Sequence, residues 1–159
     1  MVNHASCVAA LAACCLVYAA PTSQHGAVHR IFAGSTAENG GLHFGPQNVV
    51  AEVSDVIEFH FLFKNHTVVQ SSFDSPCKPL AGGTGIFSGF NFPTQKGENG
   101  NAFSFKVESK DTIWYYCSQM NGNLCQKGMS GVINQDFANA EKTLARYKEA
   151  AKGATTTQP

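Results

Sequence analysis

Hydrophobic and polar positions alternate most cleanly at residues 56–63, where Ile57, Phe59, Phe61 and Phe63 fall on one side and Glu58 and His60 on the other. A period of two predicts a half-buried strand with its four large side chains facing a core. Phe103, Phe105 and Val107 alternate with Ser104 and Lys106 in the same way. Shorter apolar runs at residues 28–33, 49–53, 67–69, 113–117 and 129–134 predict further strands. Between them lie a Gly/Pro/Ser-rich stretch at 70–94 and a second predicted turn, KGENGN, at 96–101. A connection as long as the first is expected to be functional or tied down, and Cys77 lies inside it. About seven strands at this spacing predict an all-β domain, either a sandwich or a Greek-key barrel, over residues 25–134.

The period changes at Asp136. Phe137, Ala140, Leu144, Tyr147 and Ala151 recur at helical spacing, with Lys148 and Lys152 near the end, where cations favour the helix dipole. This predicts a C-terminal helix over 135–152 that packs on the β-domain. Residues 153–159 are expected to form a flexible tail. The first residues are a different matter. Cys7 to Ala20 is uncharged, too short to span a bilayer and long enough for the core of a secretory signal. Small residues at Val17 and Ala19 place cleavage near Ala19, so residues 1–19 are expected to be a signal peptide and the mature protein to be secreted. No second run of membrane length follows, and the C-terminus carries no hydrophobic tail of the kind a GPI signal needs.

Charge narrows the partners. Eleven Lys and Arg balance eleven Asp and Glu among 159 residues, so a counterion-release interface with nucleic acid is not expected. With 12 Phe, 15 Gly and only 14% charged residues, the chain reads as a compact β-rich domain, expected to be a monomer with an unidentified extracellular partner. Loss of the signal would remove Cys7, Cys14 and Cys15 and leave Cys77, Cys117 and Cys125. Three is odd, and one disulfide plus one free thiol is the simplest partition. Catalytic signatures are missing: there is no G-x-S-x-G, no H-E-x-x-H and no phosphate loop between strand and helix, and no His-x-His of the multicopper type. An enzyme is not expected.

What remains is an order of residues. Asn65-His66-Thr67 comes first, then Cys77, then a loop from Cys117 to Met129 pinned between two predicted strands. A thiolate, an imidazole and a weak thioether on a stiff β-scaffold are the ingredients of a soft copper site. The chain resembles the fungal extracellular cupredoxin-like (extracellular serine-rich) proteins, distant relatives of the phytocyanins. The likeness runs over most of the mature chain and is carried by GLHFGP at 41–46, NHTVVQSSF at 65–73, PCKPL at 76–80, FSGF at 87–90, IWYYC at 113–117 and CQKGM at 125–129.

The resemblance implies a cupredoxin-like Greek-key β-sandwich with the C-terminal helix appended. It also implies a Cys77–Cys125 disulfide, His66, Cys117 and Met129 as metal ligands, and Asn65 as a support that hydrogen-bonds across to the cysteine loop. The sequon at Asn65 is then expected to be unused. One position departs from the pattern. The family's second histidine ligand immediately precedes the loop's second cysteine, and here that residue is Leu124. Leucine has no donor atom, so the trigonal His₂Cys set cannot form from the expected residues. His25, His29, His43 and His60 lack the loop position to replace it and are expected at the surface or in packing. The expected function is a secreted, non-enzymatic scaffold with a degenerate type 1 site and weak or no copper binding. The alternative is a copper-binding electron carrier or Cu(I)-sequestering protein; any bound copper is expected as Cu(I) rather than blue Cu(II).

Overall fold

The computed structural model describes residues 26–34 and 43–159. The expected signal peptide and His25 lie outside them. Eight strands make two four-stranded sheets: β1 (Val28–Ala33), β2 (Phe44–Gly45), β3 (Asn48–Val49), β4 (Val56–Lys64), β5 (Val69–Ser71), β6 (Thr94–Lys106), β7 (Ile113–Tyr116) and β8 (Ser130–Ile133). One sheet has the order β2-β1-β4-β6 and the other β3-β8-β7-β5. Both are mixed, since β1 runs parallel to β4 and β3 parallel to β8. Among the described residues no helix is long and apolar enough to cross a membrane.

The alternation of β4 explains why the sheets close on each other. Ile57, Phe59 and Phe61 are fully buried, while Glu58 and His60 between them are partly exposed, and the His60 ring hydrogen-bonds both Glu98 on β6 and Glu58. Tyr115 reaches across from the other sheet to meet Phe59 and Phe44 edge-on, with ring centroids 5.1 and 4.9 Å apart. Burying one such ring contributes about 1.5–3 kcal/mol. Phe103 and Phe105 pack against this cluster from its rim.

Phe63 does not follow the alternation. It is half exposed, because the β4–β6 register shifts between His60 and Leu62 and again between Leu62 and Lys64, and Lys64 takes a positive φ of 82°. The same irregularity absorbs the expected turn at 96–101, which instead lies within β6, with Gly97 at φ 69°. Extra residues in one strand of an antiparallel pair bend it without ending it.

The helix is shorter than its apolar stripe. It spans α1 (Leu144–Lys152), and Phe137 and Ala140 are exposed. Asp136 and Asn139 turn the chain first: their side-chain oxygens accept backbone N–H groups of Ala138, and of Glu141 and Lys142. Such short polar side chains offer the backbone an alternative to the helix. Thr143 then caps α1 by accepting from the Arg146 N–H. Tyr147 stacks on Trp114 at 5.3 Å and shares a 2.6 Å hydrogen bond with Ser71, which fixes the helix to the second sheet.

Residues 153–159, expected as a flexible tail, are docked. The Thr157 N–H donates to the Cys77 carbonyl, Tyr116 Oη donates to the Thr157 carbonyl, and Gln126 holds both the Ala154 carbonyl and the Thr156 hydroxyl. Gln158 donates to the Ser118 carbonyl. The tail is polar in composition but finds carbonyls and amides at matching positions, which composition does not reveal.

Candidate metal centre

His66 stands between β4 and β5, just after the bulge that ends β4. Its ring is 1% exposed, and Nε2 lies 3.1 Å from the Phe63 carbonyl. A carbonyl only accepts, so Nε2 carries the proton. Burial pushes the His66 pKa below the usual histidine value, against the Phe63 hydrogen bond, so the ring is neutral and Nδ1 is left bare. Nδ1 faces Cys117 Sγ at 4.0 Å. Gly34, at the end of β1, backs the ring: a β-carbon there would lie 2.7 Å from Nε2.

Cys117 follows β7 directly and is fully buried and unpaired. Thr67 sends both its N–H and its hydroxyl toward Sγ, at 3.4 and 3.7 Å. The Thr67 hydroxyl oxygen also accepts the Ser118 N–H at 2.8 Å. These contacts join the histidine loop to the cysteine loop, the role expected of Asn65. Asn65 Oδ1 is instead buried without a hydrogen-bond partner among the described residues. Sequence reading missed Thr67, Gly34 and the Phe63 carbonyl. Thr67 sits beside His66 within a quoted motif, but its partner is 51 positions away, and no local signal names it.

The loop between β7 and β8 returns under backbone control. The Cys117 N–H donates to the Met129 carbonyl at 3.0 Å, and the Met129 N–H to the Leu124 carbonyl at 2.9 Å. Met129 is fully buried beside Cys117 in sequence-distant but hydrogen-bonded register. Asn123, Gly122 and Gly128 take positive φ values of 54°, 95° and 92°, which is how the chain reverses so tightly here. Cys125 is bonded to Cys77, with Cα atoms 5.8 Å apart and 48 positions between them. Closing a loop of that length contributes about 4 kcal/mol in the chain-entropy model. It also holds the long 70–94 segment against the loop that carries Leu124 and Met129.

Leu124 is 8% exposed and occupies the rim of an open cleft of about 550 Å³ that also takes in Lys64, Asn65, His66, Gln119 and Lys127. Among the described residues, no three His, Cys, Asp or Glu side chains gather closely enough to hold a metal ion. His29 on β1 pairs with Asp55 at 2.7 Å, and His60 on β4 pairs with Glu98 at 2.6 Å. The donor chemistry brought together is therefore one imidazole nitrogen facing one thiol, and Leu124, which lines the cleft that His66 also lines, brings no donor. A His₂Cys trigonal set does not fit these residues.

A mixed two-sheet sandwich with a His–Cys pair at the end of β4 and β7 defines a cupredoxin-like protein. In this the chain is similar to fungal proteins named as cupredoxin or as extracellular, and its disulfide is of the kind that persists outside the cytosol. It is 38% identical over 118 residues to "Probable GPI-anchored cupredoxin-1" of Arthroderma benhamiae, covering 74% of this chain and 57% of the relative. It is 39% identical over 113 residues to "Extracellular serine-rich protein" of the same fungus, covering 71% of this chain and 42% of the relative. The chain thus spans about half the length of the curated relatives it matches. No family model matches it. Similar solved structures include the pseudoazurins of Hyphomicrobium denitrificans (19% identity, TM-score 0.46, 79% of this chain and 95% of that one) and Methylobacterium extorquens (17%, 0.45, 82% and 88%).

Proposed function

We propose that this protein is a secreted, non-enzymatic cupredoxin-like scaffold whose copper site has lost its second imidazole to Leu124. Its work is then binding at the surface around the former metal edge rather than electron transfer. The observation that carries this reading is the cleft beside His66, which buried Leu124 lines with an apolar side chain where the family resemblance expects a nitrogen donor. A second observation agrees with it. Burial raises the Cys117 thiol pKa, outweighing the N–H groups of Gln119 and Thr67 that favour the thiolate. A metal must displace that proton, so a raised thiol pKa weakens binding at neutral pH.

The facing of His66 Nδ1 and Cys117 Sγ favours a second reading, that the pair retains a soft N/S site. With Met129 as a thioether, such a set suits Cu(I) over Cu(II). Copper bound there supplies only soft-metal storage; no reaction step depends on it.

The test is Cu(II) titration of the purified protein, read by absorption and by metal analysis. The expected outcome is no intense thiolate-to-copper band near about 600 nm. In Leu124→His that band should emerge, since His66 and Cys117 already face each other. A blue wild-type protein would overturn the proposal. A colourless Leu124→His variant that also fails to retain Cu(I) would show that the scaffold has left copper altogether.

A further inference from the structure

We infer that the cleft beside Leu124 is a binding site for a small hydroxycarboxylate. This names a ligand for the scaffold proposed above and rests on that reading only in taking Leu124, not a metal-bound imidazole, as part of the wall. The charge argument comes first. The whole chain is balanced, yet two lysines, Lys64 and Lys127, line this cleft and no acidic side chain does. Both are exposed, and among the described residues neither forms an ion pair. Elsewhere the structure pairs lysines when a carboxylate is near, as with Lys110 and Glu52 or Lys152 and Glu149. Two ammonium groups without a carboxylate partner on one concave surface, Lys64 resting 5.9 Å from the Phe63 ring centroid, favour an anion.

Size and lining decide which anion. About 550 Å³ lies within the range of small-molecule sites, roughly 300–1,000 Å³, and far exceeds what one inorganic oxyanion fills. Leu124 supplies an apolar wall for a carbon skeleton. Two amide side chains of the same lining each keep one unpartnered polar atom: Gln119 Nε2, a donor, and Asn65 Oδ1, an acceptor. Both atoms are shielded from solvent in the free protein. Once these side chains turn toward the cleft, a ligand can offer a carboxylate oxygen to Gln119 and a hydroxyl proton to Asn65. Native structures leave few such atoms unsatisfied, and an unmade bond at a cleft wall is where a ligand gains most. An anion, a hydroxyl and a short carbon skeleton together describe a hydroxycarboxylate.

The experiment uses metal-free protein, so that copper affinity and this site fail or succeed separately. Amide resonances are followed during titration with malate, with succinate (the same skeleton without the hydroxyl) and with inorganic phosphate. Malate is expected to saturate and to shift residues 64–66 and 119–127 selectively. Succinate should bind several-fold more weakly. Lys64→Gln and Lys127→Gln, both at exposed positions, should each weaken malate about tenfold while leaving the remaining spectrum unchanged. Equal affinity for phosphate and malate would reduce the site to a general anion patch and overturn the proposal. So would shifts scattered over the surface, or unchanged malate binding in the double lysine variant.

Discussion

The imidazole of His66 lies so close to Gly34 that a β-carbon on the glycine would sit 2.7 Å from Nε2 and 2.8 Å from Cδ2. Gly34 also has a φ of 104°, where other residues are strained. Gly34→Ala should therefore cost about 1–3 kcal/mol from backbone strain, with the ring contact added. The His66 ring should move off the Phe63 carbonyl. Denaturant unfolding measures the first effect and the imidazole resonances of His66 the second; an unperturbed His66 spectrum would contradict the packing described here.

Thr67→Val removes the hydroxyl that accepts from the Ser118 N–H while nearly preserving shape. Ser118 is fully buried, so its N–H loses a 2.8 Å partner. A loss of about 1–3 kcal/mol is expected by urea unfolding. Asn65→Ala should cost less, since Asn65 Oδ1 makes no hydrogen bond. The reverse order would return the tie to Asn65.

Truncation after Gly153 should expose the Cys77–Cys125 bond. Both cysteines are fully buried, and the Cys77 carbonyl and Gln126 are covered by residues 154–157. Thiol–disulfide exchange requires access to a sulfur. Reduction by dithiothreitol under native conditions should therefore be faster in the truncated chain than in the full one, as read by alkylation and mass analysis. Equal rates would mean the docked tail does not guard the crosslink.

Acid should destabilise the protein in two stages. Burial lowers the His66 pKa, so below about pH 6.5 the unfolded histidine takes up a proton that the folded one refuses, and stability falls. Asp55 comes next. The hydrogen bond from His29, then those from the Glu52 and Ala27 N–H groups, holds its carboxyl below the usual range. Its contribution is complete above about pH 3.9 and is lost as pH falls through the depressed value. Asp55→Asn should thus be less stable than wild type at neutral pH, with the difference closing below about pH 4. A gap that stays constant down to pH 2 would refute this assignment.

Much of the scaffold is legible in the chain because a strand that buries one face writes its period into the sequence. Ile57, Phe59 and Phe61 alternate with Glu58 and His60, and the fold places them as that alternation predicts. Phe63 reads the same way and ends half exposed. The difference lies in a register shift against β6, a relation between two strands that no single strand encodes. The stripe from Phe137 to Ala151 likewise predicts one helix, yet local capture of N–H groups by Asp136 and Asn139 delays its start to Leu144. The competition between side chain and backbone was visible in the residue types but not its outcome.

At the candidate site, the sequence by itself supplied only residue types; likeness to a known family made His66, Cys117 and Met129 the expected donors and Leu124 the expected gap, since leucine offers no nitrogen in any conformation. The odd count among Cys77, Cys117 and Cys125 already left one thiol over, and likeness to a known family said which. Tertiary structure decided what the donors meet. The tautomer of His66 depends on a carbonyl three residues back, its position on Gly34 from another strand, and the link between loops on Thr67 and Ser118, 51 positions apart. The docking of residues 154–158 was decided there too. Hydrogen bonds between distant segments leave no period behind, because each is a single pairing whose partners are brought together only when the two sheets have closed.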